Sequence, residues 1–185
     1  MRRMAAVLGV ILMAFASGCA TRPYPVDMTA IADQPYAVGS GDRLRIIVFG
    51  QDSLSNSYSV DATGHISMPL IGLVQVNGMS TAAIQHVIEE RLRGGYLREP
   101  RVSCEVEAYR PFFILGEVTT AGQYPYVNGM TVQTAVAIAG GFSPRASQSS
   151  AWLTRVIDGR QTVGEVAMNQ PVQPGDTIQI RERFF

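Results

Sequence analysis

The sequence predicts an α+β fold assembled as two small packed units, spanning residues 38–108 and 109–185. Three observations lead there. From Val38 onward, short runs of alternating apolar and polar residues recur, bounded by Gly, Asp, Asn or Pro. Two stretches change to a 3.6-residue period, each opened by Ser or Thr and closed by Gly. One phrase also occurs twice: Gly41-Asp42-x-Leu44-x-Ile46 near the start and Gly175-Asp176-x-Ile178-x-Ile180 near the end. The echo reads either as a duplicated unit or as ordinary turn punctuation before a strand.

The first unit opens at Gly39-Ser-Gly-Asp, a turn that launches a half-buried strand through Leu44, Ile46 and Val48. Tyr58–Asp61 and His65–Leu70 read as short strands around Thr63-Gly64. Gly72–Asn77 follows as a third, so an antiparallel meander is expected. From Ser80 to Gly95 the period is helical, with Ile84, Val87, Ile88 and Leu92 on one face. Ser80 or Thr81 would cap its start and Gly94 its end. Glu89 and Arg93 have the spacing of a solvent-side ion pair. A strand over 101–109 completes the unit, one helix against a mixed sheet. Its Val102, Cys104, Val106 and Ala108 alternate, which makes Cys104 a small core residue and not a reactive thiol.

In the second unit, 111–118 and 122–127 are strands, and Thr131 caps a short helix ending at Gly140-Gly141. Trp152–Ile157 and Gln161–Val166 should pair across Asp158-Gly159. Thr177–Arg183 is the last strand.

The segment ahead of both units has a different character. Arg2 and Arg3 precede an uncharged apolar run, Met4–Phe15, and then Ala16-Ser17-Gly18-Cys19. Basic, apolar and small-residue regions in that order make a secretory leader, residues 1–18. A spanning helix needs roughly 20 apolar residues, more than this run supplies. Ala-Ser-Gly-Cys resembles a bacterial lipobox, with Ala16 where Leu is usual. The resemblance implies cleavage after Gly18 and acylation of Cys19. Ala20 follows in place of the Asp that marks inner-membrane retention, so the implied address is the periplasmic face of the outer membrane. Acyl chains contribute about 0.8 kcal/mol per buried methylene, so several chains hold firmly. Residues 19–37, with three prolines and no period, read as an extended tether.

Composition excludes several function classes. All 15 basic residues are Arg, and two leave with the leader, so the rest of the chain is slightly acidic and has no basic run. That is poor chemistry for nucleic acid, and no nucleic-acid partner is expected. With Cys19 acylated, Cys104 has no disulfide partner. His65 and His86 stand apart from any metal-ligand spacing, so neither a metal nor a cofactor is expected. There is no nucleophile elbow, and Gly39-Ser-Gly41 completes neither a dinucleotide nor a phosphate loop. The chain is read as non-enzymatic, with no catalytic residue to name. Tyr109, Tyr124, Tyr126 and Phe142 have the chemistry to stack on sugars, although aromatics at strand spacing are more often core.

Taken together, the segments from Tyr36 on resemble a known family. Gly-Asp-x-Leu-x-Ile at 41–46, Leu54-Ser55, Val60-Asp61 to Gly64-x-Ile66, Pro69-Leu70-Ile71-Gly72 and Glu99-Pro100-x-Val102 are similar to the polysaccharide biosynthesis/export domain of outer-membrane lipoproteins, the Wza- and GumB-like proteins. Gly116-Glu117-Val118, Gly122-x-Tyr124 and Ala139-Gly140-Gly141-Phe142 resemble the soluble-ligand-binding β-grasp (SLBB) module that follows in them; Ala121 stands where Pro is more usual. The ending, Glu182-Arg183-Phe184-Phe185, looks like that of short members.

The resemblance implies a homo-oligomeric ring in the periplasm through which capsular or extracellular polysaccharide leaves the cell. Its partners would be the polymer and an inner-membrane co-polymerase, often coupled to a tyrosine autokinase. The C-terminal amphipathic helix that builds the pore in Wza has no counterpart here. Either a separate outer-membrane pore protein is expected, or the ring acts as a periplasmic conduit held to the membrane by Cys19. The other reading is a monomeric periplasmic lipoprotein that binds a soluble saccharide without conducting it.

Overall fold

The structure, a computed structural model, describes residues 36–157 and 159–183. The leader, Cys19 and the tether up to residue 35 lie outside the described residues.

The chain first forms β1 (Arg43–Val48), a 3-10 turn (Asp52–Leu54), β2 (Asn56–Ser59), β3 (His65–Met68), β4 (Gly72–Gln75), helix α1 (Thr81–Arg93) and β5 (Val102–Ala108). The alternation in β1 is realised residue by residue. Leu44, Ile46 and Val48 are buried, and Arg43, Arg45 and Ile47 face outward. Ser80 caps α1 by accepting the Ala83 N–H, and Gly94 ends it. Ile84, Ile88 and Leu92 are fully buried, with Val87 half-buried beside them. Truncating any of the three to Ala in such a core costs about 2–5 kcal/mol.

Two expectations are corrected here. The meander does not form, because β2 pairs with β1 in a sheet ordered β2-β1-β5, while β3 and β4 make a separate hairpin. The Val60 N–H donates to the Asp42 carbonyl, and the buried Tyr58 hydroxyl donates to the Leu54 carbonyl. The first bond holds β2 against β1, and the second ties β2 to the 3-10 turn. Nor does Glu89 pair with Arg93. Its carboxylate accepts the Val102 N–H at 3.0 Å, tying α1 to the start of β5. A buried backbone donor outcompetes an exposed guanidinium, whose pairing contributes only about 0.3–0.5 kcal/mol.

The second half consists of β6 (Phe112–Gly116), β7 (Gly122–Tyr124), helix α2 (Val132–Ile138), β8 (Ser150–Ile157), β9 (Arg160–Ala167) and β10 (Thr177–Ile180). They form one five-stranded sheet, β7-β6-β10-β8-β9. The last strand slots into the middle, parallel to β6 and antiparallel to β8. It does so because Ile178, opposite both Ile114 and Leu153, and Ile180, opposite Gly116, are buried in one core with α2's Val132, Ala135 and Val136. This is the β-grasp arrangement, and it supplies the mixed sheet of the α+β fold; the pairings in the first half are antiparallel. Gly116 makes the central pairing possible: a Cβ there would lie 2.0 Å from the Ile180 carbonyl oxygen, on a backbone at φ 89°.

Two hydrophobic cores result, one drawn from Val38 through Cys104 and the other from Phe112 through Ile180. Among the described residues no helix is long and apolar enough to cross a membrane.

Candidate functional site

The repeated Gly-Asp phrase marks two copies of one turn. Asp42 and Asp176 are both buried just ahead of a strand. Each carboxylate accepts the N–H of the residue three positions earlier: Gly39 at 2.8 Å, and Gln173 at 2.7 Å. Each Asp N–H donates back to that same residue's carbonyl at 3.1 Å. The turns therefore close on themselves and leave one negative charge apiece inside the protein. A buried charge needs a partner, and each turn has an arginine.

Arg155, on β8, is itself buried. It holds Asp176 in a two-pronged contact, Nε to Oδ1 at 2.9 Å and Nη2 to Oδ2 at 2.6 Å, and its Nη2 also donates to the Pro171 carbonyl. Burial pushes the Asp176 carboxyl above the ordinary range, and the guanidinium opposes that rise. This pair lies within the β-grasp half.

Arg110 serves Asp42, and it does so from the segment joining the two halves. Its backbone N–H donates to Asp42 Oδ1 at 2.7 Å and its Nη1 to Oδ2 at 3.1 Å. Its Nε reaches the other turn, donating to the Pro174 carbonyl at 3.1 Å. The two Gly-Asp turns thus close on one arginine from opposite sides. Their glycines make room for it: a Cβ on Gly39 would sit 2.3 Å from Arg110 Nη1, and one on Gly175 2.9 Å from Nε.

Aromatic residues complete the joint. The Tyr36 hydroxyl donates to Asp42 Oδ2 at 2.5 Å and accepts from Arg110 Nη1 at 3.0 Å. Burial, then the bond to Asp42, pushes its ionisation far above the usual tyrosine range. Tyr109 packs edge-on against Tyr36 (4.9 Å, 84°) and against Tyr126 (5.3 Å, 75°), so one aromatic chain runs from the first half to the second. Beside the joint is an open cleft lined by Tyr36, Tyr109, Ser80, Thr81, Cys104 and Glu105. Burial pushes the Cys104 thiol up to about 11, consistent with a packed and unreactive side chain.

The other candidates are dispersed. Tyr124 stacks on Phe112, and together with Tyr126 and Phe142 it packs against the second core. Of the four aromatics proposed for sugars, only Tyr109 lines the cleft. His65 Nδ1 lies 3.0 Å from the Thr63 hydroxyl in the turn that Asp61 organises, and His86 is largely exposed. Among the described residues no three His, Cys, Asp or Glu side chains gather as a metal would require. Reading the sequence missed Arg110 and Arg155; the signal that could have found them was the echo itself, two buried carboxylates each needing a cation.

The joint also falls at the seam between two family matches. Residues 30–107 match the family model described as polysaccharide biosynthesis/export protein, and residues 111–166 match the SLBB domain. The exopolysaccharide production protein ExoF of Rhizobium meliloti (strain 1021) is 32% identical over 124 residues, covering 60% of this chain and 29% of that protein. The EPS I polysaccharide export outer membrane protein EpsA of Ralstonia nicotianae is 28% identical over 185 residues, 80% of this chain and 48% of the relative. EpsA of Ralstonia solanacearum is 26% identical, with 85% and 51% covered. The chain therefore spans from under a third to about half the length of these relatives.

Proposed function

Because the chain belongs to the polysaccharide biosynthesis/export family, we propose that it is a lipid-anchored component of capsular or extracellular polysaccharide export. In this reading Cys19 carries the lipid at the periplasmic face of the outer membrane. Copies assemble as a ring-like conduit that works with an inner-membrane co-polymerase.

One observation carries the reading: the export domain and the β-grasp domain follow each other along the chain, clamped at their seam by Asp42, Arg110 and Tyr36. A conduit wall assembled from two-domain staves needs a fixed angle between the domains, and a buried charge clamped from both sides supplies one. The relatives' names, production and export of exopolysaccharide, support the same assignment. The test is surface and released polysaccharide in a strain lacking the gene, complemented by wild type or by Cys19→Ser. The proposal expects polymer to be lost, restored in full by the wild type and only in part by the variant. Unchanged polymer in the deletion, with no second copy of the gene present, removes it.

The cleft favours a second reading. Two tyrosines beside Ser80, Thr81 and Glu105 offer a stacking face and hydroxyl partners to a sugar. A monomeric lipoprotein that captures a soluble saccharide would use it, and unchanged polymer in the deletion strain would make that the working assignment.

A further inference from the structure

The sheet edges of this chain fall into two kinds. β2 and β7, with four and three residues, are short, one of the ways natural sheets avoid pairing with other chains. So are both strands of the β3–β4 hairpin, at four residues each, whereas β5 has seven residues and β9 has eight. Neither contains proline, and the whole chain contains no lysine. The ladder between β8 and β9 runs through eight consecutive pairs with no bulge to twist the edge away. Beside this edge Val163 is 54% exposed and Val156, its diagonal neighbour on β8, is 67% exposed. An edge that is long, regular and flanked by exposed valines is one intended for pairing.

We propose that β9 of one copy pairs antiparallel with β5 of the next. The inference rests on the ring reading above and names the surface that builds it. Length and charge select the partner and the direction. Among the described residues β5 is the other long edge; Glu89 already holds its first outward donor, Val102 N–H, so the open part runs from Ser103 to Ala108 and carries exposed Glu105 and Glu107. Antiparallel pairing brings Arg160, at the start of β9, to those carboxylates. Parallel pairing would instead bring Glu165 to them. The outer side of β5 at Cys104–Val106 borders the open cleft beside the N-terminus of α1, so an incoming strand has room to approach. Strand addition beside a helix is a recurrent docking mode, with backbone hydrogen bonds supplying the affinity. Because β9 and β5 are different surfaces, the contact is heterologous and propagates from copy to copy, as a ring requires.

The β8–β9 turn closes at Ile157–Arg160, so alternation of the ladder aims the N–H groups of residues 161, 163 and 165 away from β8. Val163→Pro therefore removes an outward donor and leaves the β8 ladder intact. The experiment is mass by light scattering of the purified full chain, wild type and Val163→Pro, with circular dichroism to verify folding. The proposal expects an assembly for the wild type and at least a tenfold weaker one for the variant. A second measurement does not depend on that substitution. In a Cys19→Ser, Cys104→Ser background, Val163→Cys and Val106→Cys chains are mixed and oxidised with copper–phenanthroline. The expected product is a cross-link between the two chain types, with little Val163→Cys self-linkage. Dominant self-linkage, or a folded Val163→Pro variant that assembles like wild type, overturns the interface and leaves the ring reading standing. A wild type that stays monomeric at high concentration overturns both.

Discussion

Asp42→Asn is the sharpest perturbation of the joint. The substitution preserves shape and removes the charge. Oδ1 can still accept the Arg110 N–H, but the atom replacing Oδ2 becomes an NH2 facing three groups that now donate to it: Gly39 N–H, Arg110 Nη1 and the Tyr36 hydroxyl. The hydroxyl can turn round and accept; the other two donors cannot. One neutral bond contributes about 1 kcal/mol and one charge-assisted bond about 1.5–3 kcal/mol. Breaking a fully buried pair costs about 3–5 kcal/mol, and the Arg110 side chain, 30% exposed, lowers that figure by admitting water. The expected loss is therefore about 2–4 kcal/mol. With a urea slope of about 2 kcal/mol/M, the midpoint should fall by about 1–2 M. Trp152, the chain's one tryptophan, reports the β-grasp half by fluorescence, and far-ultraviolet circular dichroism reports both halves. With the joint intact the two transitions should coincide; in Asp42→Asn they should separate, with the export half unfolding first. A shift under about 0.5 M with the two curves still superimposed would refute the claim that this carboxylate locks the halves together.

Three further outcomes follow from single residues. Gly116→Ala should cost more than about 3 kcal/mol in urea unfolding, since its Cβ meets backbone oxygen, whereas Gly50→Ala, also at positive φ but with open space around it, should cost about 1–2 kcal/mol. Leu70 lies at φ 71° and is exposed; Leu70→Ile should lower stability by about 1–2 kcal/mol, and Leu70→Asn should leave it within about 0.5 kcal/mol, as read by thermal melts. The Cys104 thiol, raised to about 11, carries very little thiolate at pH 8, so labelling by a disulfide reagent should be at least about 100-fold slower in the folded chain than in urea. Equal rates would contradict its burial.

What the sequence made legible were the elements whose pattern is written locally. β1 alternates because one face is buried, and α1 and α2 carry their caps in Ser80 and Thr131. Pairing order was not legible. β2 has the same short polar–apolar signature whether it lies on β1 or on β3, and what decides is the hold of Val60 on Asp42, a contact formed only once the chain turns back. Glu89 was misread for a related reason: the spacing to Arg93 is visible along the helix, while the Val102 N–H arrives from another element. The joint was half legible. The doubled Gly-Asp phrase was visible, but Arg110 stands 68 residues from Asp42, and nothing near it announces a partner. The aromatics divide likewise, since spacing alone cannot distinguish Tyr109 at the seam from Tyr124 in the core.

The proposal that the chain serves polysaccharide export is tested most directly by locating the polymer in a strain that lacks the gene. Cell-surface and periplasmic polysaccharide would be quantified in the same culture. Export predicts a bare surface, with polymer or its lipid-linked precursors retained inside the envelope. Surface polymer at the wild-type level, with none retained, would contradict it.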